Sequence, residues 1–82
     1  MISITPQVLK HRRTKALQEV IKNVESMIDL RNSRGFTDYT MEFTDTPEET
    51  VNYITKELAD AGFSVTVAVI SPLHHKAYIR WN

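Results

Sequence analysis

The sequence predicts an α+β fold, a two-layer sandwich in which a three-stranded sheet carries two helices on one face. Two segments repeat apolar residues at three- and four-residue intervals, as amphipathic helices do. Three other segments alternate apolar and polar residues or are rich in β-branched residues, as strands are. Their order is helix, strand, helix, strand, strand. A chain of 82 residues can bury one core, so residues 1–82 are expected to form a single domain.

The first helix is expected to begin after Thr5, a good N-cap, with Pro6 at the first helical position. Gly35 is suited to the left-handed conformation that ends many helices. The helix would be about 26 residues, or roughly 39 Å, long. Its apolar stripe consists of Leu9, Ala16, Leu17, Val20, Ile21, Val24, Met27 and Ile28.

Residues 38–44 alternate apolar and polar side chains, which predicts a strand with one buried face. The following TPEE stretch predicts a capping box between Thr46 and Glu49, with Pro47 at the first position of the second helix. Gly62 is expected to end this helix, and Phe63 to fold back onto Leu58. The helix stripe consists of Val51, Ile54, Leu58 and Ala61.

The stretch SVTVAVIS, residues 64–71, predicts a second strand that is buried more fully than the first, because apolar residues occupy both faces. Pro72 ends it, residues 73–75 are expected to form a loop, and KAYIRW returns as the third strand. The last two strands should form an antiparallel hairpin. The sheet order is either 1-3-2 or 1-2-3, and 1-3-2 is favoured because all its neighbours are antiparallel.

Composition excludes several kinds of site. The chain has no cysteine, which excludes disulfide scaffolds, thiolate metal sites and thiol nucleophiles. Its longest apolar run, residues 67–70, is too short to span a bilayer, and residues 1–6 lack the features of a signal peptide. The 41% hydrophobic and 24% charged residues are typical of a globular protein, and together with the absence of cysteine, of a membrane span and of a signal peptide they predict a soluble cytoplasmic protein.

Basic residues are concentrated in LKHRRTK, residues 9–15, near the start of the first helix. A helix of about 39 Å exceeds a seven-residue strand of about 23 Å, so its N-terminal part should extend beyond the sheet. Arg13 lies where the apolar stripe should continue. We therefore predict that a partner or a second copy binds a surface formed by Leu9, Arg12, Arg13 and Leu17.

Two other interpretations of this basic block stay open: a solvated helix end, and a nucleic-acid-binding surface. The basic side chains spread around the helix, whereas DNA-reading helices collect them on the groove-facing side. The formal net charge is zero, with +4 in residues 1–34 and −4 in residues 35–82. This asymmetry can mark a contact surface, or the basic helix can pack beside the acidic one within the domain. Tyr78 and Arg80 on the open sheet face provide little stacking surface for RNA.

No pattern in the sequence predicts catalysis, a metal or a cofactor. His74 and His75 are adjacent in a predicted loop and lack the spacing of zinc ligands. Asp45, Glu48 and Glu49 lie near a helix N-terminus, where capping and the helix dipole explain them. Neither glycine lies in a phosphate-binding pattern and no serine in a nucleophile elbow, so no small-molecule substrate is evident.

The segment TPEETVNYITKELADAGFSVTV and the closing AYIRWN resemble small accessory proteins of tailed bacteriophages. In those proteins an amphipathic helix and the phrase L..AGF.V.V lead to a C-terminal strand that ends in an aromatic residue. The resemblance covers mainly residues 37–82 and implies no catalytic residue. It implies a protein that binds and redirects or inhibits a host protein in the host cytoplasm.

Together these observations predict a non-enzymatic accessory protein, phage-encoded, that binds a host protein or self-associates into a homo-oligomer. The alternative is a nucleic-acid-binding protein that uses the basic N-terminal part of the first helix. Neither function calls for a cofactor, a metal or a membrane.

Overall fold

The computed structural model describes residues 3–81 and confirms the predicted α+β fold. The three strands form one antiparallel sheet against which both helices pack. The expectations that involve Met1 and Ile2, in the signal-peptide argument, and Asn82, in the closing segment, lie outside the described residues. In chain order the elements are α1 (Pro6–Ser33), β1 (Asp38–Phe43), α2 (Glu48–Asp60), β2 (Ser64–Ser71) and β3 (His74–Arg80).

The sheet has the order β1-β3-β2, which is the favoured of the two predicted orders. β3 pairs antiparallel with β1 from Asp38↔Arg80 to Phe43↔His75. On its other side it pairs with β2, up to Val69↔His75, beyond which a bulge interrupts the register. β3 is therefore the central strand, and β1 and β2 form the two edges.

The ends of α1 are formed as the sequence predicts. The Thr5 hydroxyl accepts a hydrogen bond from the backbone N–H of Val8 at 3.2 Å. At the other end Gly35 has a φ of 91°, and the N–H of Phe36 donates to the carbonyl of Arg31 at 3.0 Å. This is a Schellman closure, and it gives a helix of 28 residues, slightly longer than expected.

The predicted end of α2 is confirmed, since the N–H of Phe63 donates to the carbonyl of Leu58 at 3.1 Å and Gly62 has a φ of 106°. The predicted capping box is wrong. α2 begins at Glu48, with Pro47 as an N-cap that makes no side-chain hydrogen bond. The Thr46 hydroxyl instead donates to the carbonyl of Thr44 at 2.8 Å.

Thr46 has a different structural role. Its backbone N–H donates to the carbonyl of Leu73 at 3.0 Å, in the turn between β2 and β3. The preceding Asp45 has a positive φ of 49°, so the chain changes direction sharply after β1. Thr46 therefore ties the start of α2 to the tip of the β2–β3 hairpin, and its side chain is turned away from the helix terminus.

The core lies between the helices and the sheet face that carries the odd-numbered residues of the three strands, as a period of two requires. Leu17, Val20 and Ile21 of α1 are half-buried against it. The buried cluster consists of Val24, Ile28, Phe43, Val51, Ile54, Leu58, Ala77 and Ile79.

Two predictions about the C-terminal hairpin are wrong. β2 is an edge strand with no buried residue, and the most buried strand is the central β3. The turn between them is only Pro72-Leu73, so His74 and His75 lie in β3 and not in a loop. His75 is just 1% exposed, because it lies on the core face in the same row as Phe43.

Candidate protein-contact surface

The first eleven residues of α1, residues 6–16, form a helical extension that we call the overhang. At 1.5 Å per residue α1 is about 42 Å long, whereas the six residues of β1 span about 20 Å. No residue of the overhang belongs to the core or packs against it, and Leu17 is the first α1 residue that does. The molecule is correspondingly elongated, with dimensions of 53 × 26 × 19 Å.

A cleft of about 340 Å³ separates the C-terminal part of the overhang from the start of α2. Leu17, Pro47 and Tyr53 are the apolar residues of its lining, and Tyr53 remains partly exposed there. We call this feature the cleft; its lining residues are Lys10, Arg13, Thr14, Leu17, Pro47, Glu49, Thr50 and Tyr53.

The two walls of the cleft carry opposite charge. Lys10 and Arg13 lie on the α1 side, and Glu49 lies on the α2 side. Among residues 3–81 the salt bridges are Arg31 with Asp38 and His74 with Glu42, so the charged groups of the cleft are not paired with one another. Their charges are available to a ligand.

The overhang is basic on all sides. Lys10 and Arg13 face the cleft, and at 100° per residue Arg12 and Lys15 project from other sides of the helix. The overhang contains no Asp or Glu. It therefore combines a positive charge that no acidic residue of the overhang offsets with a local apolar contribution from Leu9, which is 52% exposed.

The four predicted contact residues fall into two groups. Arg13 and Leu17 line the cleft, whereas Leu9 and Arg12 are exposed on the overhang outside the lining set. Leu9, Arg13 and Leu17 are four residues apart, so they follow one another along one side of α1. The predicted surface is thus continuous along the helix, and Leu17 marks its boundary with the core.

The sheet face away from the helices carries the even-numbered strand residues. Tyr78, 42% exposed, lies there with Arg80, as the sequence predicts. The Glu42 carboxylate contacts the His74 imidazole on the same face. Among Phe, Tyr and Trp, Tyr78 alone lies on this face in residues 3–81, and the His74 ring is held by Glu42, whereas sheet surfaces that bind RNA stack two or three bases on aromatic rings.

In residues 3–81 no group of three or more His, Asp or Glu is placed to hold a metal ion. Neither helix in that range is long and apolar enough to cross a bilayer.

Sequence reasoning missed the α2 side of the cleft. It assigned Glu49 to a capping box and did not place Tyr53, which lies outside the apolar stripe of α2. Tyr53 was detectable in principle as a large aromatic residue off the buried face of an amphipathic helix. α2 approaches the overhang because both helices pack on one face of the sheet. Periodicity shows which side of a helix is buried, but it does not show where on the sheet the helix lies.

Comparison of the chain with protein-family models, with curated proteins and with solved structures finds no match. The resemblance of residues 37–82 to phage accessory proteins therefore stays a prediction.

Proposed function

We propose that the protein is a small non-enzymatic module that acts by binding another protein through the overhang and the cleft. The observation that supports this best is the overhang itself, eleven helical residues that take no part in the core. A helix end without tertiary packing frays more readily than the packed part of the same helix. A partner that covers the overhang would supply that packing.

The chemistry of the surface indicates the partner's contact segment. The overhang has four Lys and Arg and no acidic residue, which favours a partner with Asp and Glu side chains. Leu9 is exposed and the Leu17 and Tyr53 side chains border the cleft, which favours apolar residues among those carboxylates. An acidic amphipathic helix or loop of a protein meets both conditions.

Nucleic acid is the alternative partner, and the four cations of the overhang favour it. Against it stand Glu48 and Glu49 in the first turn of α2, because Glu49 faces Lys10 and Arg13 across the cleft. A phosphate backbone carries a negative charge at every unit and would bring one to this carboxylate, whereas a protein segment can place an apolar residue there and direct its carboxylates to Lys10 and Arg13. The exposed Leu9 also adds nothing to phosphate binding, so a protein fits the surface better.

The resemblance of residues 37–82 to accessory proteins of tailed phages extends the proposal to the partner's origin. Those accessory proteins that have an assigned activity bind and redirect or inhibit host proteins. We therefore take a bacterial host protein as the target and the host cytoplasm as the place of binding.

Paired variants test the proposal in a pulldown from bacterial lysate with quantitative mass spectrometry. The double variant Leu9→Ala/Arg13→Gln should reduce retention of the specific partner at least about tenfold, equivalent to about 1.4 kcal/mol of binding free energy. The control Leu30→Ala/Lys22→Gln removes one exposed leucine and one exposed cation from the sheet-covered half of the same helix. It should retain the partner as the wild type does.

Nuclease treatment separates the two kinds of partner. A protein partner survives it, whereas retention that disappears with nuclease and falls steeply with salt supports the nucleic-acid alternative. If both double variants retain the same proteins in equal amounts, the overhang is not a contact surface and the proposal is wrong.

A further inference from the structure

The two edge strands of the sheet differ in how they are protected against pairing. In an antiparallel ladder every second residue of an edge strand directs its N–H and C=O outward, where a further strand can bind them. β1 has six residues and carries Asp38 and Glu42. β2 has eight residues and contains no charged residue and no proline. Charged residues and prolines of this kind usually keep natural edge strands from pairing, and β2 lacks them; its one irregularity, the bulge after Val69, lies at its C-terminal end.

The core face of β2 is also incompletely covered. Val67 and Val69 lie in the same rows as Ala77 and His75, which are fully buried on the adjacent strand. Yet Val67 is 36% exposed and Val69 is 66% exposed. The helix layer thus ends above β3 and the first part of β2, and two valines beside an open strand edge remain in contact with water.

We propose that β2 pairs antiparallel with β2 of a second copy of this chain, about a two-fold axis that passes beside Val67. The two sheets then form one six-stranded antiparallel sheet with four helices on the same face. This pairing uses the edge opposite α1, which packs on β1. It goes beyond the proposed function and does not depend on the overhang.

The sequence of β2 is self-complementary about this axis. Val67 lies opposite the second copy's Val67, and Val65 lies opposite its Val69, so the core-face pairs across the interface are all valine with valine. Such β-branched pairs stabilise neighbouring strands. In a strand with a charged residue at the axis, two-fold pairing would place that charge opposite its own copy. β2 contains no charged residue, so this repulsion does not arise.

The pairing also closes after two copies. Once both β2 strands are paired, the outer edges of the combined sheet are the two β1 strands, which carry Asp38 and Glu42. Charged residues on an edge strand oppose further strand addition. A two-fold isologous interface therefore gives a discrete dimer and not a fibre.

The first test is the molar mass in solution, by light scattering after size exclusion, from about 1 µM to about 1 mM. The wild type should reach twice the 9.5 kDa chain mass as concentration rises. Val67→Lys places two like charges across the axis and should raise the dimer Kd at least about tenfold. Val67→Thr, which keeps a β-branched uncharged side chain, and Thr40→Lys, which adds the charge to β1, should leave the dimer intact.

Cysteine cross-linking tests the register, because the chain has no cysteine of its own. In Val67→Cys the two thiols face each other across the axis, within the 4.4–6.8 Å Cα separation that a disulfide needs. In Val69→Cys the two residues are offset by about 13 Å along the strands, four residues at 3.3 Å each, which is too far for a disulfide. Mild oxidation should therefore yield a covalent dimer from Val67→Cys and not from Val69→Cys.

A wild-type chain that stays monomeric over the whole range overturns the proposal, and so does preferential cross-linking through position 69. Equal dimerisation of Val67→Lys and wild type also contradicts it. These failures leave the overhang-dependent pulldown unaffected, so the two proposals can fail separately.

Discussion

His75 is the residue whose environment differs most from the sequence prediction. It is fully buried on the core face of β3, and its Nδ1 has no hydrogen-bond partner among the described residues. Burying a polar atom without a partner costs roughly 1–3 kcal/mol. The stability of this small core therefore contains one unfavourable contribution at a defined position.

We expect His75→Leu to increase the free energy of unfolding by about 1 kcal/mol, because leucine is of similar size and needs no hydrogen bond. Denaturant unfolding followed by circular dichroism measures the change. His11→Leu, at an exposed position of the overhang, serves as the control and should change stability by less than about 0.5 kcal/mol. A loss of about 1 kcal/mol or more in His75→Leu would mean that the imidazole makes a favourable bond in solution.

A signal for the position of His75 was present in the sequence. His75, Ala77 and Ile79 alternate with polar residues, and a turn of two residues, Pro72-Leu73, suffices for an antiparallel hairpin. Adjacent histidines after a proline suggested a longer loop. The register of β3 with β1 places His75 opposite the buried Phe43, and His75 is therefore a strand residue on the core face.

Among the elements, α1 divides into two parts with different roles. Residues 17–33 pack against the sheet and include the buried Val24 and Ile28. At the end of this part, Arg31 binds the carboxylate of Asp38 at 3.0 Å and its carbonyl at 2.8 Å, which fixes α1 to the start of β1. The overhang makes no comparable contact with the core, so its side chains should contribute little to folding.

Substitutions in the two parts of α1 should therefore differ strongly in their effect on stability. Leu9→Ala is expected to change the free energy of unfolding by less than about 0.5 kcal/mol, because it is a surface substitution. Ile28→Ala is expected to cost about 3 kcal/mol, since Ile28 is 7% exposed and its removal leaves a cavity in the core.

Thermal and urea denaturation of both variants measure these changes under conditions where the chain is monomeric. A Leu9→Ala loss close to that of Ile28→Ala would show that the overhang is part of the cooperative core. The contrast also separates folding from function, because Leu9→Ala should weaken binding while leaving the fold intact.

Sequence patterns predicted the elements well where a local cause determines them. Thr5 caps α1, and both glycines occupy left-handed positions that end helices, as the sequence predicts. The capping box at Thr46 failed because a distant contact, with Leu73 in the hairpin turn, competes for the same residue. A motif of four residues cannot reveal a contact with a segment 27 positions away.

For the whole molecule, the sequence predicted the strand order β1-β3-β2 but not which strand is most buried. β2 has apolar residues on both faces, which is typical of a fully buried strand, yet it lies at an edge and the central β3 is buried more. Likewise, the length of α1 predicted an overhang, whereas the cleft depends on where α2 packs, which only the tertiary structure fixes.

The same arrangement predicts how stability is distributed over the molecule. β3 is hydrogen-bonded on both sides, so its amides should exchange with solvent most slowly, at a rate set by global unfolding. The overhang amides should exchange fastest among the helical residues, because fraying of residues 6–16 exposes no core. Hydrogen exchange measured by NMR resolves both sets.

The edge strand provides the most informative part of this exchange profile. Because alternate β2 amides point away from β3, they should exchange rapidly in monomeric Val67→Lys and be protected in concentrated wild type, where a second β2 strand binds them. Alternate β1 amides at the charged edge should exchange equally fast in both samples. Protection of β1 in place of β2 would indicate association through the other edge of the sheet. Overhang amides that exchange as slowly as those of residues 24–33 would show that α1 is already covered along its whole length.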